Sequence, residues 1–186
     1  NTDTYSLRER KYADIPSEFV ANDSGIMLFS FDEHEKADKI IILGDIYNHG
    51  PRNPLPEEYS PMQVASALNQ VKNKLIVLKG NCDSVVDTYI SEFDFNENLV
   101  LVENGKSIFL SHGHVYNKDA MPKTNYNAVI YGHFHKAFIE RVNDTIIANP
   151  GSISLPKDGI KAYLIIENNQ IILKNTKGEL LTKELI

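Results

Sequence analysis

The chain has 186 residues, 42% of them hydrophobic and 24% charged, with a formal net charge of −6. That is the length and mix of one ordinary globular domain, and it excludes an intrinsically disordered chain. No Lys/Arg cluster stands out in this acidic sequence, which disfavours an extended nucleic acid as partner but leaves room for a small phosphorylated molecule.

A single cysteine, Cys82, rules out an internal disulfide and gives no sign of an oxidising compartment. No apolar run nears the ~20 residues that span a bilayer. The first ten residues have no apolar core and do not read as a signal peptide. We therefore expect a single domain over residues 1–186 in the cytoplasm, with no membrane partner and no linker or repeat.

Taken in chain order, residues 1–35 carry little pattern. Ser17 to Met27 is a weak helix, with Gly25 and several turn-forming residues inside it. Lys39-Ile-Ile-Ile-Leu43 reads as a buried strand ending at Gly44-Asp45. Pro61 to Val71 has apolar residues at 62, 64, 65, 68 and 71, a helical spacing, with Pro61 suited to the first turn. Lys74 to Lys79 is a second buried strand, ending at Gly80-Asn81. Leu99 to Val102 and Ser107 to Leu110 predict a hairpin around Asn104-Gly105, a favoured two-residue turn. Ala128 to Tyr131 leads to Gly132-His133, and Thr145 to Ala148 leads to Asn149. Tyr163 to Glu167 and Gln170 to Lys174 predict a last hairpin around Asn168-Asn169.

Strand after strand thus ends in a residue with ligand chemistry: Asp45, Asn81, His112, His133 with His135, and Asn149. In open α/β sheets, sites form beyond the carboxyl ends of the strands. Each residue alone has a plain structural reading, since a Gly-Asp or Gly-Asn pair usually marks a turn and a lone His such as His34 is ordinarily a surface or satisfied core residue. Their joint occurrence points to a metal centre. Two oxygen donors and three imidazoles suit Mn²⁺, Fe²⁺, Zn²⁺ or Ni²⁺ better than Mg²⁺ or Ca²⁺, which prefer all-oxygen shells. An aspartate can bridge two such ions, and a pair about 3.5–4 Å apart clamps a phosphoryl group for in-line attack.

These motifs, Gly44-Asp-Ile-Tyr-Asn-His-Gly-Pro-Arg-Asn53, Gly80-Asn-Cys-Asp83, Ser111-His-Gly-His114, Gly132-His-Phe-His135 and Asn149-Pro-Gly-Ser152, resemble those of the YfcE-type phosphodiesterases. That family belongs to the calcineurin-like metallophosphoesterase superfamily. The resemblance covers roughly residues 36–175. It implies an α/β fold in which two sheets form a sandwich flanked by helices, with a two-metal site at the strand ends.

Carried over by motif, Asp45 would bridge the two metals, and Asn81, His112 and His133 would complete the second. His135 would ligate the first. Asp45, Asn81 and His112 would form the catalytic set, with a metal-bound hydroxide as nucleophile and Mn as the expected metal. His114 would lie near substrate, and His49, Arg52 and Asn53 would reach phosphate oxygens, Arg52 by a bidentate contact. Cys82 stands where many of these phosphoesterases have a proton-donating histidine. A thiol is a weak donor near neutral pH, so no general acid is assigned. Asp83 is read as orienting a neighbouring histidine.

The sequence departs from the superfamily at its first motif, Asp-x-His, whose two side chains ligate the first metal. Residues 1–31 contain no histidine. The nearest match is Ala13-Asp-Ile-Pro16, where Asp14 stands for the aspartate and Pro16, which has no ligating atom, for the histidine. This leaves one or two ions.

Two functions follow. The first is a metal-dependent phosphodiesterase acting on small phosphodiesters. The second is a weakened or inactive phosphoesterase-fold protein serving as a binding scaffold, since chains of this fold can act mainly in assembly. A redox or zinc-storage role is disfavoured by the single cysteine. The family often associates through its sheets, which leaves a homo-oligomer open.

Overall fold

The structure is a computed structural model that describes residues 3–6, 26–27, 37, 39–48, 50–51, 53–54 and 59–186. The described strands, in chain order, begin with β1 (Asp3–Ser6), β2 (Ile26–Met27), β3 (Ile40–Ile42), β4 (Leu75–Leu78) and β5 (Phe95–Asn96). They continue with β6 (Asn98–Glu103), β7 (Lys106–Ser111), β8 (Ala128–Tyr131), β9 (Ala137–Val142) and β10 (Thr145–Pro150). The last three are β11 (Ala162–Glu167), β12 (Gln170–Asn175) and β13 (Leu180–Leu185). Among the described residues the one α-helix is α1 (Pro61–Gln70), joined to β4 by a 3₁₀ turn.

Two sheets carry the architecture, as expected. One has six strands in the order β1-β6-β7-β8-β10-β9, and the other has four in the order β2-β3-β4-β5. The C-terminal strands add a three-stranded ladder, β11-β12-β13, whose first strand approaches β2 and β10.

The long apolar runs are explained by burial on both faces. In the six-stranded sheet, Ile108 and Leu110 of β7, Ala128 and Ile130 of β8, and Ile146 and Ala148 of β10 point into the main core. That core also holds Ile40 to Leu43, Ile46, Leu78 and the α1 residues Val64, Ala65 and Leu68. The intervening Phe109, Val129, Tyr131 and Ile147 point the other way, under a cover that includes Tyr116, Tyr126 and Phe138. A strand covered on both faces reads as an unbroken Val/Ile/Leu run, because the period-2 alternation that marks a half-exposed strand is lost.

The helix opens with Pro61 at its first position, where the missing N–H is unpaired in any case, and it buries Val64, Ala65, Ala67 and Leu68. The segment read as a weak helix over Ser17–Met27 is extended at Ile26–Met27, where β2 pairs antiparallel with β3. β-branched Ile26 is at home in a strand. Asp3–Ser6 runs parallel to β6 as an edge strand. Asp14 and Pro16, the first-motif positions, lie outside the described residues, as do His34, His49 and Arg52.

Parallel pairing places the site. β3 runs parallel to β4 in one sheet, and β7 parallel to β8 in the other, so each pair delivers its C-terminal loops to one end. Those loops are Gly44-Asp45, Gly80-Asn81, His112 and Gly132-His133.

Candidate metal centre

A hydrogen bond ties the two sheets together at their C-terminal ends. His112 Nδ1 donates to the Leu43 carbonyl at 2.6 Å, tying the end of β7 to the end of β3. With its proton on Nδ1, the ring presents a lone pair at Nε2. That nitrogen is 3.0 Å from Asn81 Oδ1, 3.1 Å from His133 Nδ1 and 3.3 Å from Asp45 Oδ2. Two oxygens and two nitrogens thus face one another in a corner where Asp45 and His112 are buried, His133 is half-buried and Asn81 is exposed. The donor mix matches the N/O preference of a first-row transition metal. Asp45, His112 and His133 by themselves bring ligand atoms within 4.8 Å of one another.

The loops are held in place mainly by backbone and carboxylate contacts. Asp83 is buried and accepts three backbone N–H bonds: from Gly80 at 2.7 Å, Asp45 at 2.9 Å and Ile46 at 3.0 Å. It therefore clamps the Asp45 turn to the Gly80 turn. This corrects the expectation that Asp83 orients a histidine: its oxygens are taken up by main-chain donors three residues away and across the site. Asp45 Oδ1 in turn accepts from the Cys82 N–H at 2.8 Å, leaving Oδ2 toward the cluster.

Space between these turns is minimal. A Cβ on Gly80 would lie 2.0 Å from Asp45 Oδ1, and one on Gly44 would lie 2.5 Å from Gly80 N and 2.8 Å from His112 Nδ1. Only two glycines back to back allow the approach.

Asp45, His133 and His135 adopt φ angles of 54°, 63° and 58°, in the left-handed region that non-glycine residues rarely occupy. Three such residues at one site mark stored strain of the sort that gathers at functional positions. Around His133 the chain makes a γ-turn, with Phe134 N–H donating to the Gly132 carbonyl at 2.7 Å. Buried Asn149 secures that turn. Its Nδ2 donates to the same Gly132 carbonyl at 2.7 Å while its Oδ1 accepts from Gly151 N–H at 2.9 Å. Both polar ends of Asn149 are therefore engaged in backbone support, so its place at a strand end serves the turn.

His135 is buried and donates from Nδ1 to the Leu155 carbonyl at 3.0 Å, which makes Nε2 its lone-pair nitrogen. It lies outside the four-atom convergence. His114 is exposed, its ring 5.3 Å from that of His112 and 6.3 Å from that of His133. Asn53 is half-buried in the loop after Asp45, its N–H closing a turn on the Gly50 carbonyl at 3.4 Å.

Electrostatics follow the geometry. Burial works against the charge of Asp45, but the hydrogen bond and positive charge of His112 outweigh it, and the Asp45 carboxyl is held below its ordinary range. Burial likewise opposes protonation of His112, and Asp45 reverses it, raising the imidazole. His133 is pushed down to about 4 by burial and by the charge on His112.

Known proteins resemble this chain in sequence and fold. The calcineurin-like phosphoesterase superfamily domain matches residues 24–170. The phosphodiesterase YfcE of Escherichia coli strain K12 is 40% identical over 161 residues, covering 84% of this chain and 85% of that one. The solved structure of YfcE, a phosphoesterase from E. coli, superposes with a TM-score of 0.77 at 35% identity, over 81% of this chain and 85% of that one. Vps29 from Entamoeba histolytica shares the fold, with a TM-score of 0.51 at 20% identity over 78% of this chain and 96% of that one.

Proposed function

The chain belongs to the calcineurin-like phosphoesterase superfamily and has its fold, and on that premise we propose that it is a metal-dependent phosphodiesterase acting on small phosphodiesters. The observation that carries this reading is the meeting of Asp45 Oδ2, Asn81 Oδ1, His112 Nε2 and His133 Nδ1 within 3.0–3.3 Å of the His112 nitrogen. A binding scaffold has no use for four convergent ligand atoms, two of them on the strained residues Asp45 and His133.

These residues would hold a divalent ion, with manganese the first choice, which when bound would supply Lewis acidity toward the phosphoryl oxygens and an activated water as nucleophile. The protein's part is to hold the donors. Leu43 fixes the His112 tautomer, Asp83 and the Cys82 N–H fix Asp45, and the Asn149-braced turn fixes His133. In this reading Asp45 and His135 would also hold a second ion. Exposed His114 lies beside the substrate, together with Asn53 and the loop residues His49 and Arg52. The same reading has one domain in the cytoplasm, able to form homo-oligomers. Among the described residues no helix is long and apolar enough to cross a membrane.

The test is hydrolysis of bis-p-nitrophenyl phosphate by chelator-stripped protein, with and without added Mn²⁺. Turnover restored by Mn²⁺, and lost by at least about 100-fold in N81A and H133A, is the expected result. Undiminished activity in either variant would overturn the ligand assignment. No turnover in folded, metal-loaded protein would favour the scaffold.

A further inference from the structure

Phe134 is flanked by two proposed ligands yet points away from the core, with 41% of its surface exposed. Both neighbours have positive φ, and the γ-turn bond from its own N–H to Gly132 fixes where its side chain leaves the backbone. Its ring meets that of His133 at 5.2 Å and 88°, one residue from the metal-facing nitrogen. On another side it meets Tyr131 at 5.8 Å and 75°. Tyr131 is itself buried, packed against Phe138 at 6.1 Å. Phe134 is therefore an exposed aromatic ring on a rigid mount, beside the place where a phosphoryl group would be held. Leaving such a ring in water forgoes apolar burial that a planar substrate group would recover.

We propose that Phe134 is a specificity-determining residue that stacks against an aromatic group on the retained (non-leaving) ester of the substrate, so that the site prefers diesters whose retained group is aryl or nucleoside to those whose retained group is alkyl. The inference rests on the phosphodiesterase reading above and adds the substrate class. A preformed ring favours a planar group at little cost in ordering, because its own rotamer is already set by its neighbours.

The experiment uses the full chain loaded with Mn²⁺ and three diesters that share the p-nitrophenolate leaving group: methyl, phenyl and thymidine-5′ p-nitrophenyl phosphate. kcat and KM are measured for the wild type, F134A and F134L. The ratio of kcat/KM for an aromatic ester over the methyl ester, compared between proteins, cancels intrinsic reactivity. We expect that ratio to fall about tenfold in F134A and by less in F134L, mainly through KM. Methyl-ester turnover should stay within about twofold of wild type. A drop for the phenyl ester alone assigns a simple aryl group, and a drop for the thymidine ester assigns a nucleobase. An unchanged ratio in F134A overturns the proposal. Loss of methyl-ester turnover in both variants also overturns it, by making Phe134 a support for the histidines. If the wild type hydrolyses none of the esters, the phosphodiesterase reading fails and this inference with it.

Discussion

At the scale of single residues, the site depends on what is absent as much as on what is present. Gly80 has no positive φ, so its requirement is space alone: a methyl group there would overlap Asp45 Oδ1. Gly105 is the opposite case, with φ of 80° and nothing within 4 Å of an added Cβ. The two glycines should therefore separate stability from function. G80A should displace Asp45 and lower Mn²⁺ affinity by about 10–100-fold, with a stability loss of about 1–3 kcal/mol. G105A should lose about 1 kcal/mol from backbone strain and leave turnover unchanged. Urea denaturation and Mn²⁺ titration by calorimetry measure both. Normal metal binding by G80A would contradict the packing described. Both glycines were visible in the sequence as turn markers. That one of them faces a carboxylate 35 positions earlier in the chain was not.

At the scale of elements, local chemistry decided the hairpins. Asn104 and Gly105 turn between β6 and β7 with φ of 47° and 80°, and Asn168 and Asn169 turn between β11 and β12 with φ of 50° and 59°. Asn and Gly tolerate that region, so these turns were legible. The strands β1, β2, β5, β9 and β13 were not foreseen. β9 and β13 are edge strands with mostly exposed or half-exposed side chains, so neither an unbroken apolar run nor a clean alternation marks them.

The same hairpins create one unfavourable contact. Glu103, at the end of β6, is buried against the β11–β12 turn, where the amides of Asn168 and Asn169 donate to it but its Oε2 has no partner among the described residues. Burial raises its carboxyl above the ordinary value of 4.5, and the nearby charge of Glu167 adds to this. The native state then binds a proton more tightly than the unfolded chain. Stability from this group is greatest below the unfolded value of 4.5, falls as pH rises through the raised native value, and stays lost at neutral pH. E103Q should therefore match or exceed wild-type melting temperature at pH 7, with its relative advantage vanishing below pH 4.5. A melting temperature lowered equally at both pH values would show that the carboxylate stabilises the fold.

At the scale of the molecule, the candidate ligands come from both sheets. Asp45 and Asn81 follow β3 and β4, whereas His112 and His133 follow β7 and β8. An ion bound between them ties the two layers together and binds the folded state alone. Mn²⁺ at 100 times its dissociation constant should stabilise the protein by about 2.7 kcal/mol. Thermal melts of stripped and reloaded protein test this. The gain should be largely absent in H133A, and an equal gain in both proteins would place the ion elsewhere.

The sequence by itself determined the buried strands, the helix after Pro61, the hairpin turns and the set of ligand-bearing motifs, because each rests on neighbours within a few positions. It also carried enough motif order to indicate the family, which the matched domain and the similarity to YfcE bear out. Only the tertiary structure decided how those motifs meet. The role of Asp83 as a clamp on main-chain amides, of Asn149 as a brace for the histidine turn, and of Leu43 in setting the His112 tautomer all depend on contacts spanning 17 to 69 positions or on backbone direction. Residue type states what a side chain can bind. Which of its partners arrives first is settled by packing two sheets against one another.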